Sequence, residues 1–205
     1  MSADALRDKV WETQWVRFNW PVGTPPFDEP YKAYKIVSLD PGDTTGIVEA
    51  WIDVTRLGVR SMYLELWQYN WPDDIKIIHD ILKTADIIVA EDYRVYSDNV
   101  KKNANTWKRP TALRVLGACE LLSVISPECK YPVQVFSSAQ TKEVSNSTLQ
   151  QVWGELPLTK TGRSKAPYRH GIDAMRPLWL YLQKMQTQYI RNKSYVINLS
   201  GEVNE

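Results

Sequence analysis

Lys35-Ile36-Val37-Ser38-Leu39-Asp40-Pro41-Gly42-Asp43-Thr44-Thr45-Gly46 is the stretch on which the reading of this chain turns. A short apolar run delivers Asp40 to its carboxyl end, a Pro-Gly turn stops it, and a second strand-like run begins at Ile47. An acid at a strand end, beside a turn that exposes backbone N–H groups, suits a metal ion or a phosphate. The first expectation is therefore phosphoryl chemistry on a sheet.

Working outward, Gly46–Val54 and Gly58–Tyr69 read as the next two strands, joined by short links as hairpins. In the second, Val59, Met62, Leu64 and Leu66 approximate a period of two. Asp73–Thr84 predicts a helix opened by Pro72 and Asp73, with Ile75, Ile78, Ile81 and Leu82 on one stripe. Asp86–Glu91 is a continuous apolar run ending in an acid, the pattern of a buried central strand. Thr106–Ser126 predicts a long helix with Pro110 in its first turn and Ala112, Val115, Leu116, Cys119 and Leu122 on one face. Val133–Phe136 is a short strand, and Ser137 with Gln140 forms a capping-box pattern for a helix after it. Residues 154–169 read as a Gly/Pro/Lys/Arg loop, followed by a last helix over Ile172–Tyr189. Three strands and then alternating helices and strands predict an α/β or α+β layered fold with a mixed sheet.

Residues 1–33, rich in Trp and Pro without a sustained period, read as an irregular arm packed on the domain or on a partner. Residues 34–190 form the domain and 191–205 a polar tail. A chain of 205 residues is long enough for one domain with a full core. No apolar run reaches the roughly 18 residues of a membrane span, and the first residues lack a signal-peptide profile. Cys119 and Cys129 have no metal-ligand spacing and read as reduced thiols, which with the missing signal predicts a cytoplasmic protein.

The net charge is only +1, but the charges are segregated. Residues 101–114 carry Lys101, Lys102, Lys108, Arg109 and Arg114 without an acid. Residues 159–172 carry Lys160, Arg163, Lys165 and Arg169, again without one. Two local basic segments fit a polyanion partner better than the net charge does; the competing reading is two solvated faces. The nine Trp and eleven Tyr supply core or interface area, and some are suited to stacking on bases.

A second strand end carries Glu91, and ligands of open α/β sheets gather at that edge. His170 and Asp173 are spaced to share one face of a helix. If that helix crosses the sheet near the first strand, Asp40, Glu91, His170 and Asp173 converge. Two carboxylates about 4 Å apart repel by roughly 4 kcal/mol at an effective dielectric near 20, so such a cluster needs protons or a cation. Oxygen donors with one imidazole suit Mg²⁺ or Mn²⁺, and two such ions serve both oxygens of a phosphodiester displacement. Taken singly, each residue has an ordinary reading: a turn, an exposed strand end, a helix cap, a solvent-facing histidine.

The ordered set Asp40-Pro41-Gly42…Thr45-Gly46, Ile87-Ile88-Val89-Ala90-Glu91 and His170-Gly171-Ile172-Asp173-Ala174 resembles the RuvC-type Holliday junction resolvases of the RNase H-like superfamily. It is most similar to phage-encoded RuvC-like members, through Asp92-Tyr93-Arg94 after the strand-end Glu. The resemblance covers residues 35 to about 185 in separate blocks. It implies an RNase H-like fold with a five-stranded mixed sheet flanked by helices, and Mg²⁺-dependent hydrolysis of DNA phosphodiesters by an activated water, usually by a homodimer on four-way junctions. It assigns Asp40, Glu91 and Asp173 as metal ligands. His170 stands as the fourth catalytic group, binding metal or orienting water. Asp92, next to Glu91 in a strand, is expected to point to the other face. Tyr93 or Tyr96 would act on the junction.

Phosphate contacts are expected from Lys101, Lys102, Lys108, Arg109 and Arg114, and from Lys142, Lys165 and Arg169. The apolar face of the 106–126 helix is a candidate dimer interface or else core. Pro177 lies four residues after Asp173, and a kink there would re-aim that acid. Three other readings compete: a phage nuclease on flaps, forks or RNA; an ATP-phosphate loop of the actin and sugar-kinase type, for which the chain has room for neither a second domain nor a second loop; and a catalytically dead DNA-binding module, against which the retention of all the candidate ligands argues.

Overall fold

The computed structural model describes residues 11–12, 16–18, 33–54, 60–92, 111–127, 129, 132–156 and 169–201. Its strands are β1 (Trp11–Glu12), β2 (Val16–Phe18), β3 (Ala33–Asp40), β4 (Thr44–Val54), β5 (Arg60–Asn70), β6 (Ile87–Asp92) and β7 (Gln134–Ser137). Its helices are α1 (Ile75–Leu82), α2 (Thr111–Ile125), α3 (Ser138–Glu143), α4 (Asn146–Trp153) and α5 (Arg169–Gly201). One sheet runs in the order β1-β5-β4-β3-β6-β7, with β2 also on β5. The β3–β4–β5 meander is antiparallel, and β3–β6 and β6–β7 are parallel. The architecture is thus α/β, with five principal strands in a mixed sheet flanked by helices.

Alternation along the strands sorts the core onto two faces. Ile36, Val48, Ala50, Leu64, Leu66, Ile87 and Val89 face Ile172, Met175, Leu178 and Leu182 of α5, with Leu149 and Trp153 of α4 beside them. Val37, Leu39, Ile47, Ile88 and Ala90 face Ile78, Ile81 and Leu82 of α1 and Val115 and Cys119 of α2. Each Val, Leu, Ile or Met among them contributes roughly 1.5–3 kcal/mol when fully buried. Both cysteines are free and buried, and burial pushes the Cys119 thiol up to about 12.

The parallel pair β3–β6 brings two acids to one edge, and its register is fixed at the other end. The Asp86 carboxylate accepts from the Lys35 backbone N–H at 2.9 Å, while the Asp86 N–H donates to the Lys35 carbonyl at 2.9 Å. Lys35 Nζ is in turn held by Glu49 at 2.6 Å and donates to Thr84 Oγ1 at 2.7 Å. With Ser38 opposite Val89 and Leu39 opposite Ala90, Asp40 and Glu91 fall side by side on the α5 face. Asp92 alternates to the opposite face, as expected.

Several boundaries differ from the sequence expectation. The arm is not wholly irregular: β1 and β2 pair with β5, Trp11 opposite Leu66 and Val16 opposite Met62, because that edge of the hairpin offers unpaired backbone groups. They raise the sheet from five strands to seven. Asp74 closes the turn before α1 by accepting from the Asn70 N–H at 2.7 Å, so the helix starts at Ile75 rather than Asp73. Ser137 and Gln140 do form a reciprocal capping box, but the helix ends at Glu143, and Ser145 caps a second one. The segment expected to be a tail is helical as far as Gly201; its polar composition ends the apolar periodicity without breaking the backbone, since no Pro or Gly intervenes. Among the described residues, no helix is long and apolar enough to cross a membrane.

Candidate metal centre

Asp40 ends β3, and the turn behind it is closed by Thr45, whose buried hydroxyl donates to the Gly42 carbonyl at 2.9 Å. Asp40 pairs in register with Gly46 across this hairpin. Gly46 is where the N-terminus of α5 meets the sheet. A β-carbon there would collide with the His170 carbonyl and the Gly171 nitrogen, so only glycine admits the helix this closely. Gln68, opposite Gly46 on β5, supplies the cap. Its Oε1 accepts from the His170 N–H at 2.8 Å and from the Gly171 N–H at 3.3 Å, meeting two donors that the first turn of a helix leaves without partners.

So placed, α5 turns His170 and Asp173 onto Asp40. His170 Nδ1 lies 2.7 Å from Asp40 Oδ2. Asp40, His170 and Asp173 each offer a ligand atom, all within 4.8 Å of one another. Pro177 lies inside α5 without removing Asp173 from this group. Ser38 on β3 donates its hydroxyl to the Ala174 carbonyl at 2.7 Å, tying the helix to the strand one residue past Asp173.

Glu91 stands next to this group rather than within it. Its Oε2 accepts from Thr141 Oγ1 at 2.8 Å. Burial pushes the Glu91 carboxyl up, against the Thr141 hydrogen bond, and the charges of Asp40 and Asp173 push it further. Burial also raises the Asp173 carboxyl, with Arg176 opposing and Asp40 adding to the rise. The hydrogen bond to Asp40 raises His170, against burial. The acids thus repel one another in a half-buried site, and a cation would relieve that repulsion. Two carboxylates, an imidazole and a neighbouring third carboxylate are a donor set that fits Mg²⁺ or Mn²⁺.

Asp173 is already engaged by two arginines. Arg176 Nε is 3.2 Å from Oδ1, and the more exposed Arg169 Nε is 3.3 Å from Oδ2. Arg169, expected to contact phosphate, is paired through Nε with an acid of the site. Lys142 is exposed on α3, next to Thr141, and its charge is felt at Glu91. Arg114 is exposed on the first turn of α2, whose first residue, Thr111, donates its hydroxyl to Asp43 in the turn after Asp40. Lys101, Lys102, Lys108, Arg109, Lys165, Tyr93 and Tyr96 lie outside the described residues.

Sequence reasoning missed Gln68, Thr141, Asn146 and Arg176. None belongs to a motif; only the register of Gln68 with Gly46 carried a signal, and that requires the strand pairing. No family model, curated protein or solved structure matches the chain.

Proposed function

We propose that this chain is a divalent-metal-dependent, structure-selective DNA endonuclease of the RuvC-like kind, hydrolysing phosphodiesters of four-way junctions or related branched DNA. The observation that carries the reading is the meeting of Asp40 from β3 with His170 and Asp173 from α5, beside Glu91 from β6. The mixed sheet with five principal strands is compatible with the RNase H-like fold that the sequence resemblance implies.

In this reading Asp40, Asp173 and Glu91 would hold Mg²⁺, with Mn²⁺ as a substitute and two ions in the full site. The bound metal would neutralise charge on the phosphate and favour ionisation of water. The chain's own groups do the rest. With Nδ1 on Asp40, His170 keeps Nε2 for a water or a metal. As a base it takes the proton of the attacking water, whose oxygen bonds to phosphorus while the bond to the leaving oxygen breaks. Asp40 fixes the ring and stabilises the imidazolium so formed. The commitment of the Thr45 hydroxyl to the turn favours this reading over an ATP-phosphate loop.

β6 ends at Asp92, one residue past Glu91, and α2 begins at Thr111, which donates to Asp43. Lys101, Lys102, Lys108 and Arg109, between them in the sequence, are proposed to bind phosphates. The apolar face of α2 that the sequence offered as a dimer interface, Ala112, Val115, Leu116, Cys119 and Leu122, is buried in the core, so a homodimer is proposed instead through the opposite stripe, where Leu113, Leu121 and Val124 are 43%, 60% and 81% exposed.

The test is cleavage of four-way junctions, flaps, forks and RNA with Mg²⁺ by wild type and Asp40→Asn. Junction cleavage by wild type alone is expected. Equal cleavage by both proteins overturns the site, and preference for flaps or RNA changes the substrate but not the centre.

A further inference from the structure

Glu91 and Asp173 reach the candidate centre from different elements, one a strand and the other a helix. Both are nonetheless held by a single corner of the chain, the junction of α3 and α4. Thr141, only 1% exposed, donates Oγ1 to Glu91 Oε2 at 2.8 Å. Its hydroxyl also lies 3.2 Å from the Ser138 carbonyl of its own helix. Farther along, Asn146, the first residue of α4, accepts from Arg176 Nη2 through Oδ1 at 3.1 Å. The same guanidinium reaches Asp173 Oδ1 with Nε at 3.2 Å. Between the two anchors Val144 is buried in the core, and Ser145 caps α4 by accepting from the Thr148 N–H at 3.1 Å.

The corner is therefore buried and capped at its middle and polar at both ends: Thr141 contacts Glu91 directly, and Asn146 reaches Asp173 through Arg176. A carboxylate on a flexible stem points in many directions; the Thr141 hydrogen bond limits those of Glu91, and the Arg176 ion pair at Oδ1, with the Arg169 hydrogen bond at Oδ2, limits those of Asp173. Residues that orient ligands in this way commonly contribute about 10–100-fold to metal affinity.

We propose that the α3–α4 corner is a positioning bracket for the metal centre, with Thr141 directing Glu91 and the Asn146–Arg176 arm directing Asp173. The inference rests on the metal-dependent reading above. Thr141, Asn146 and Arg176 are positioning residues and touch no reacting atom. The bracket couples the two acids: a shift of the corner moves both.

The experiment is Mn²⁺ binding to the full chain, followed by calorimetric titration and by the electron paramagnetic resonance signal of free Mn²⁺, without DNA. Wild type is compared with Thr141→Val, Thr141→Ser, Asn146→Ala and Asn146→Asp. Thr141→Val is expected to weaken binding about 10-fold or more, and Thr141→Ser, which keeps the hydroxyl, to restore it. Asn146→Ala is expected to weaken binding, and Asn146→Asp, which keeps an acceptor for Arg176, to retain it. Asn146 is partly exposed at a helix start, so its pair of variants decides the matter if Thr141→Val does not fold. Wild-type affinity in both Thr141→Val and Asn146→Ala overturns the bracket alone. Absence of Mn²⁺ binding by wild type overturns the metal reading, and the bracket with it.

Discussion

Gly46 and His170 meet backbone to backbone, with no room between them for a β-carbon. The collision partners are a helix carbonyl and amide rather than the end of a flexible side chain, so they cannot step aside cheaply. Gly46→Ala is expected to destabilise the protein by about 3 kcal/mol, the upper end for an overpacked site. It should also pull His170 away from Asp40. Urea unfolding measures the first effect and loss of Mn²⁺ binding the second; wild-type values for both would contradict the close approach.

The pH dependence of the metal-free protein has a definite sign. Asp40 raises His170, so the stability from that pair is full below about pH 6.5, the ordinary value, and is lost as pH rises through the higher folded value. Burial raises Glu91 and Asp173 as well; their contribution is full below about pH 4 and is lost as pH rises through their raised values. All three run the same way. Tm in the presence of a chelator is expected to fall as pH rises above about 6.5, and Mn²⁺ to raise it more at the higher pH. His170→Asn should flatten the chelated profile over that range, and an unaltered slope would separate His170 from the effect.

The outward stripe of α2 gives an expectation about assembly. Leu121→Glu places a charge on an apolar surface that is 60% exposed in the single chain, so it leaves the monomer fold intact while opposing burial between copies. Sedimentation of wild type should show a dimer, and of Leu121→Glu a monomer with an unchanged circular dichroism spectrum. A monomeric wild type on junction DNA would remove the dimer from the proposal.

Lys108 and Arg109 are expected to neutralise phosphates. Their double replacement by Ala should lower the slope of log affinity against log salt by about 1.8 on duplex arms, while leaving Mn²⁺ binding untouched. An unaltered slope would return both residues to the solvated surface.

The elements most legible in the sequence were those with a period. The runs ending at Asp40 and Glu91 mark their strands because an apolar stretch closed by an acid has few other uses. The His170/Asp173 spacing marked a helix face. Element ends were harder, because they are set by single hydrogen bonds: Asp74 to the Asn70 N–H delays α1, and the Ser145 cap starts α4. β1 and β2 were not legible, since two or three residues carry no period and form only against the edge of β5. Thr141 and Asn146 were invisible for a similar reason: a threonine or asparagine on a short helix has no pattern, and its meaning lies in what the fold sets opposite it.

Asp40 and His170 are 130 residues apart in the chain, and that distance orders events in time. Domains made by the ribosome begin to fold from the amino end, so the β3–β4–β5 meander can form from local contacts long before α5 exists. Asp40 and Glu91 then wait at an open edge, and closing so long a loop carries an entropic cost that only docked α5 repays. A chain interrupted before residue 170 would carry the sheet and the first two acids but no histidine beside them. In the reading proposed here, hydrolytic competence is therefore acquired late in synthesis, and incomplete chains are harmless to the DNA around them.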